Sequence, residues 1–229
     1  MERVENLDYG LKIYQNSELY TFTSDAVLLA KFAKVKAKDT VVDLGTGSGI
    51  LALYLAKKFN PKKIYGIEIQ EKLAKMAEKS VKLNNLDNII EIINKNMQEI
   101  NINADVVVTN PPYKKITSNT NQNSSRAIAR HEVEINLDNL LKTINKILNT
   151  SGRLYICYDS NRTAELIYKL KCYKLEPKKM FFSYSNIKKT ASIVFIEAVK
   201  GGREEIKVLP PLITNYDNGK YIENLTVED

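Results

Sequence analysis

The chain has 229 residues, of which 44% are hydrophobic and 27% charged, and it carries a formal net charge of +7 at pH 7. This length suits one well-buried domain. No apolar run approaches the roughly 18 residues that span a bilayer, and no signal-peptide core is present, so we expect a cytoplasmic protein without a membrane partner. The positive charge is compatible with a polyanionic partner but does not by itself indicate one.

From about residue 38 onward, short β-rich runs alternate with longer amphipathic runs. An N-terminal hairpin within residues 10–23 is expected to lead into a helix from Asp25. We then predict strands at 40–44, 63–69, 89–94, 104–109, 153–158, about 179–184 and 191–199, and helices at 50–59, 72–84, 137–148 and 162–171. Gly152 is expected to cap the third of these helices.

Strands separated by helices of this length indicate βαβ units and an α/β protein. We therefore expect a seven-stranded, mostly parallel sheet with helices on both faces. No helix separates the last two strands, so the last strand should run antiparallel. Residues 114–130 are polar and lack apolar periodicity, which predicts a long loop. The two cysteines, Cys157 and Cys172, match no disulfide framework or zinc motif, and we expect both to be buried free thiols.

A glycine-rich segment, VVDLGTGSG, lies directly between the first predicted strand of the sheet and its helix. Gly45, Gly47 and Gly49 allow a tight turn and a close approach of the backbone to a ligand. An acid precedes them at Asp43, which suits a ligand with an ammonium and a sulfonium better than a pyrophosphate. The spacing differs from the dinucleotide fingerprint and resembles motif I of class I methyltransferases, which implies S-adenosylmethionine as the cofactor. The alternative is a purely structural strand-to-helix turn.

Further candidate cofactor contacts follow the next two strands. Glu68 ends the second strand, where a carboxylate can accept both ribose hydroxyls of a nucleotide. Asn96 stands where methyltransferases carry an Asp for the adenine amine, so this amide would bind without the charge. The residues beside these positions, Thr46, Ile69 and Met97, are also predicted cofactor contacts.

The tetrapeptide Asn110-Pro111-Pro112-Tyr113 closes the fourth strand and resembles motif IV of amino-methyltransferases. Such enzymes methylate planar N–H₂ groups, whose lone pair is delocalised. The side-chain oxygen of Asn110 and the Pro111 carbonyl can each accept one N–H, and the two prolines restrict the backbone that holds them. Tyr113 offers a face for stacking a base, and Asn110 also borders the cofactor. The alternative is a rigid turn that merely ends the strand.

The whole chain resembles the bacterial tRNA1(Val) adenine-37 N6-methyltransferase family. The similarity includes GLKIYQ and FTSDAVLLAKFA before the glycine loop, then VVDLGTGSGILAL, IYGIEIQ, VVVTNPPY and ARHE, and the tail VLPPLITNYDNGKY. It implies a Rossmann-like class I methyltransferase fold and a tRNA substrate. The length favours one domain over residues 1–229, a monomer is the default expectation, and the reaction requires no metal. Residues 1–37 would cap the cofactor site, and residues 203–229 would form a C-terminal tail.

The resemblance also implies roles for residues outside the two motifs. Gln15, Thr23 and Asp25 would cover the methionine end of the cofactor, and Arg130 and His131 would lie near the RNA. Because water can take the proton that the amine releases, His131 needs no role as a base. Clustered lysines and arginines are candidate phosphate contacts, although solvated surface charge explains them equally well: Lys114, Lys115, Arg126 and Arg130 on the long loop, and Lys178, Lys179, Lys188 and Lys189 near the last two strands.

Three other functions remain open at this point. Glutamine methyltransferases of release factors also carry NPPY, but they usually have a helical domain before the glycine loop, where this chain has about forty residues. Adenine methylation of rRNA or DNA uses the same motif, and a DNA enzyme would normally need a target-recognition insert. A binding protein without turnover would not require Asn110 and Tyr113.

Overall fold

The computed structural model describes residues 2–19, 21–112 and 136–215. In this part of the chain the strands are β1 (Glu2–Asn6), β2 (Lys12–Asn16), β3 (Thr40–Leu44), β4 (Lys63–Glu68), β5 (Ile90–Asn94), β6 (Ala104–Thr109), β7 (Leu148–Asp159), β8 (Leu175–Tyr184), β9 (Ile193–Lys200), β10 (Lys207–Val208) and β11 (Leu212–Ile213). The helices are α1 (Ser24–Phe32), α2 (Ile50–Phe59), α3 (Glu71–Leu83), α4 (Leu137–Ile147) and α5 (Thr163–Cys172).

One mixed sheet organises the molecule, with the strand order β10-β8-β9-β7-β6-β3-β4-β5 and with β11 pairing to β8. The strands β7, β6, β3, β4 and β5 are parallel to one another, whereas β9 is antiparallel to both of its neighbours. The predicted α/β architecture with an antiparallel last strand is therefore confirmed. The predicted seven strands correspond to β3–β9, and β10 and β11 enlarge the described sheet to nine strands.

Apolar side chains cover the sheet on both faces, as the continuous hydrophobic runs of its central strands require. Successive residues of β3 alternate between two cores: Val41 packs with α1, α2 and the β1–β2 hairpin, and Val42 packs with α4 and α5. Phe181 and Phe195 stack in the first core with ring centroids 4.6 Å apart. A fully covered central sheet leaves only its edges and strand ends to contact ligands.

The strands β7, β8 and β9 have bounds shifted from the predicted ones, and two differences change the interpretation of the fold. The helix α4 ends at Ile147, so Gly152 does not cap it, and β7 already pairs with β6 at Leu148. Residues 149–152 instead form an irregularity in β7, where a Cβ on Gly152 would lie 2.8 Å from the Asn149 carbonyl oxygen. The N-terminal hairpin begins earlier than predicted, because β1 precedes Gly10 and pairs antiparallel with β2.

The β1–β2 hairpin packs against α3 and is fixed there by polar contacts. The Tyr14 backbone N–H donates to the Ser80 hydroxyl at 3.0 Å, and the Lys12 backbone N–H donates to Asn84 Oδ1 at 2.9 Å. These contacts bring Gln15, at the other end of β2, next to the glycine loop. None of the described helices is long and apolar enough to cross a bilayer.

Candidate active site

The candidate residues meet at the carboxyl edge of the parallel strands, which is where open α/β sheets bind ligands. The glycine loop follows β3, Glu68 ends β4, and Asn96 lies two residues beyond β5. Asn110 directly follows β6, next to β3 in the sheet, and the Thr109 hydroxyl donates to the Leu44 carbonyl oxygen at 2.9 Å. This bond joins the residue before Asn110 to the residue before Gly45, so the two motifs begin side by side.

The glycine loop has a backbone that only glycine adopts without strain. Gly45, Gly47 and Gly49 have φ angles of 73°, 57° and 90°. The Gly45 and Thr46 backbone N–H groups donate to the Ile67 carbonyl oxygen at 2.9 and 3.0 Å. These bonds hold the loop against the end of β4, immediately beside Glu68.

The Glu68 carboxylate is buried and linked to the same loop. Its Oε2 accepts the Gly47 backbone N–H and its Oε1 accepts the Gln70 backbone N–H, both at 2.9 Å. Burial raises the pKa of Glu68, and these two bonds oppose the rise by favouring the charged form. Each oxygen can still accept a second hydrogen bond, so the carboxylate is preorganised to bind a pair of hydroxyls.

Asp43 is fully buried, and burial raises its pKa to about 7. Its Oδ2 accepts the Thr46 hydroxyl at 2.6 Å, whereas Oδ1 accepts no hydrogen bond in the described part of the chain. Thr46 reaches this position because Gly66 has no side chain: a Cβ there would lie 3.0 Å from Thr46 Oγ1 and 2.7 Å from Ile92 Cδ1. A glycine inside a strand indicates such a close approach, so Gly66 is a sequence signal for this part of the site.

A second buried acceptor lies on the hairpin side of the glycine loop. Gln15 Nε2 donates to the Ser48 hydroxyl at 3.2 Å, while Gln15 Oε1 has no donor among the described residues. A buried acceptor without a donor costs free energy, which a ligand with N–H or O–H groups would recover. Asp43 Oδ1 and Gln15 Oε1 therefore fit a donor-rich group such as an ammonium.

Asp25 and Thr23 lie at the beginning of α1. The Thr23 hydroxyl donates to Asp25 Oδ2 at 3.2 Å, and the Asp25 charge contributes to the raised pKa of the Cys157 thiol on β7. The start of α1 therefore lies close enough to Cys157, the neighbour of Asn110, for the Asp25 charge to act on the thiol.

The residues after β4 and β5 are more accessible. Ile69 is 48% exposed although it is a large apolar residue, and Met97 is half-buried. Asn96 Oδ1 accepts the Gln98 backbone N–H at 3.0 Å and so begins a short 3₁₀ turn. An exposed Ile and an ordered amide that follow neighbouring strands can together contact a planar heterocycle and its exocyclic amine.

The NPP segment presents neutral polar groups at the end of β6. Asn110 is half-buried, Pro111 is buried and Pro112 is exposed. The buried Cys157 thiol donates to Asn110 Oδ1 at 3.0 Å, because the parallel register places Thr109 opposite Ile156 and hence Asn110 beside Cys157. This contact orients the Asn110 amide and was not predicted.

Of the two thiols expected to be buried, Cys157 is buried and Cys172 is exposed.

Six predicted site residues lie outside the described part of the chain: Tyr113, Lys114, Lys115, Arg126, Arg130 and His131. So does the predicted loop at 114–130. Within the described ranges, no group of three or more His, Cys, Asp or Glu side chains is arranged to hold a metal ion.

The fold is that of class I methyltransferases. A crystal structure of a predicted O-methyltransferase from Agrobacterium tumefaciens superposes with a TM-score of 0.68 and 17% sequence identity, over 86% of this chain and 91% of that one. At this identity the likeness defines the fold alone.

Sequence comparison identifies the family. The family model of the methyltransferase small domain matches residues 22–178, so the chain belongs to this family. A tRNA1(Val) (adenine(37)-N6)-methyltransferase from Porphyromonas gingivalis is 28% identical over 168 residues, which are 69% of this chain and 66% of that relative. An enzyme of the same name from Photobacterium profundum is 26% identical over 208 residues, 87% of this chain and 85% of that one. A putative protein N5-glutamine methyltransferase from Methanocaldococcus jannaschii is 36% identical over 105 residues, 45% of this chain and 52% of that protein.

Proposed function

We propose that the protein is an S-adenosylmethionine-dependent methyltransferase that modifies the N6 amine of an adenine in tRNA. The proposed target is A37, beside the anticodon of tRNA1(Val), the substrate in the names of two relatives. We propose that it acts as a monomer in the cytoplasm, where tRNA is found. The observation that carries the proposal is the Asn110 amide, which accepts the Cys157 thiol and directly follows Thr109, whose hydroxyl bonds β6 to Leu44 before the glycine loop.

The cofactor end would be bound by the residues around the glycine loop. Asp43 and Gln15 supply unsatisfied acceptors for the ammonium of the methionine part, with the N-terminal hairpin and α1 as a cap. Glu68 accepts the ribose hydroxyls, and Asn96, Ile69 and Met97 contact the adenine. S-adenosylmethionine supplies a methyl group activated by its sulfonium.

The target amine would be held by groups that carry no charge. Asn110 Oδ1 accepts one N–H and the Pro111 carbonyl accepts the other, which increases the electron density on a nitrogen whose lone pair is delocalised. Tyr113 stacks against the flipped base. The methyl group would pass from the sulfonium, which would leave as a neutral thioether, and the methylated nitrogen would lose one proton to water. Preorganised positioning supplies the rate enhancement, because the prolines fix the carbonyl before the substrate arrives.

Glutamine N5-methylation is the second candidate, since the relative from Methanocaldococcus jannaschii has that activity in its name. A glutamine amide is also a planar N–H₂ group, and the same two acceptors would hold it. The similarity to this relative covers 45% of the chain, whereas the similarity to the Photobacterium profundum enzyme covers 87%. The longer similarity favours the tRNA substrate.

Methyl transfer from a labelled donor distinguishes these candidates directly. The protein is incubated separately with tRNA, rRNA, duplex DNA and a release factor, and the label in each is counted. We expect label in tRNA. Label in the release factor alone, or in rRNA or DNA without tRNA, would contradict the proposed substrate.

A further inference from the structure

The turn between β8 and β9, residues 185–192, lies at the same edge of the sheet as Asn110. β8 and β7 are both antiparallel to β9, so β8 runs in the same direction as β7 and β6. Ser183 of β8 pairs with Ile193 of β9, which in turn pairs with Asp159 of β7. Asp159 lies three residues beyond Ile156, the β7 residue that pairs with Thr109. At about 3.3 Å per residue and about 4.8 Å between strands, the turn projects about 10 Å past Thr109 and starts about 14 Å to its side.

Hydrogen bonds give this turn a defined shape. Asn186 Oδ1 accepts the Lys188 backbone N–H at 2.9 Å, and the Asn186 carbonyl oxygen accepts the Lys189 backbone N–H at 3.0 Å. The Ser160 hydroxyl after β7 donates to the Ala191 carbonyl oxygen at 2.6 Å. The turn is therefore tied to the strand that carries Cys157.

The side chains at the end of the turn suit a polyanion. Ile187 is 75% exposed, and Lys188 and Lys189 are exposed beside it. No described carboxylate forms a salt bridge with either lysine, whereas Lys171 on α5 pairs with Glu176 and Glu204. Lys178 and Lys179, which are close in sequence, lie in the first half of β8 and so farther from this edge. The structure thus separates two lysine pairs that the sequence grouped together.

We propose that the β8–β9 turn is a docking surface for the ribose-phosphate backbone of the RNA whose adenine enters the site. Lys188 and Lys189 contact phosphates, and Ile187 lies against a ribose or an exposed base. The lateral separation from Asn110 is less than the width of an RNA stem-loop, so one loop can reach both places. The proposal rests on the proposed function, because it locates the same tRNA substrate.

The test compares two double variants of equal charge. Lys188→Ala/Lys189→Ala removes the two lysines of the turn, and Lys57→Ala/Lys62→Ala removes two exposed lysines near the end of α2 and before β4, at the opposite edge of the sheet. tRNA affinity is measured over a range of salt concentrations. We expect the Lys188/Lys189 variant to lower the slope of log affinity against log salt by about 1 to 2, since each lost phosphate contact contributes about 0.7 to 0.9. The control variant should keep the wild-type slope.

Ile187→Ala sharpens the test, because it should weaken tRNA binding without changing the salt slope. At saturating tRNA the Lys188/Lys189 variant should turn over at the wild-type rate, with only the KM for tRNA raised. If the two double variants have equal slopes of log affinity against log salt while the wild-type protein methylates tRNA, the docking surface alone is overturned. Wild-type protein that neither binds nor methylates tRNA would overturn the proposed function as well.

Discussion

The β3–β4 end and the β6–β7 end of the candidate site share one edge of the sheet but differ in charge. The first presents two buried carboxylates, Asp43 and Glu68, whose pKa values are raised by burial. The second presents an amide, a prolyl carbonyl and a protonated thiol, because burial raises the pKa of Cys157 well above its usual value. Among the described residues, both buried carboxylates of the site lie at the first end, whereas the groups that surround the Asn110 amide at the second end are neutral.

The difference corresponds to what each end would bind. Burying a carboxylate costs free energy unless a cation or several donors compensate, so two carboxylates around one loop indicate a ligand with a positive charge and hydroxyls. A neutral amine needs hydrogen-bond acceptors for its N–H groups but no opposite charge. The following experiments separate the two ends, from the largest expected effect to the smallest.

Asn110→Ala removes the acceptor at the neutral end. We expect kcat to fall by about 10²- to 10³-fold, as for other preorganised hydrogen-bonding groups that act in the transition state, while the donor Kd changes little. Single-turnover methylation and donor titration measure the two quantities separately. A parallel loss of donor binding would show that the two ends do not have separate roles.

Glu68→Gln removes a charge at the cofactor end and keeps the size of the side chain. Since hydrogen bonds to a charged group contribute about 1.5 to 3 kcal/mol, the donor Kd should rise by about 10- to 100-fold. The kcat at saturating donor should stay near that of the wild type. A variant with unchanged donor Kd would exclude Glu68 as a ribose contact.

Asp43 should make donor binding depend on pH. A bound ammonium favours the ionised carboxylate, so binding below pH 7 releases a proton, and affinity should rise by up to about tenfold per pH unit until it levels off above the pKa of about 7. Calorimetric titration measures this dependence. Asp43→Asn should bind more weakly and lose most of the pH dependence; an unchanged profile would mean that another group titrates.

Cys157→Ala should lower kcat by about fivefold, the smallest effect, because the Asn110 amide loses the donor that orients it. Cys157→Ser retains a donor and should restore most of the rate. Neither variant should change the Kd of the methyl donor, S-adenosylmethionine. Equal losses in both variants, or a shared change in thermal stability, would indicate a packing role for the thiol instead.

Much of the fold was predictable because the central strands are apolar runs bounded by turn signals. Both strands that precede the motifs, β3 and β6, have the predicted bounds. β1 has the sequence ERVEN, with a single apolar residue and no alternation, and the two-residue strands β10 and β11 are too short to show a period. These strands form because a partner edge is available, which local sequence does not encode.

The site divides in the same way. Asp43, Glu68 and Asn110 were predictable as neighbours because parallel strands end at one edge. The contact between Cys157 and Asn110 spans 47 residues and depends on the register of β6 with β7, for which the sequence offers no signal. The close approach of Thr46 to β4 could have been predicted from Gly66, because a glycine within a strand leaves room for a neighbouring side chain.

The most direct test of a neutral amine-binding end is nucleoside mass spectrometry of tRNA1(Val) after incubation with the protein and S-adenosylmethionine. We expect N6-methyladenosine from wild-type protein and none from Asn110→Ala. Wild-type protein that binds the donor but leaves every adenosine of this tRNA unmethylated would contradict the central claim.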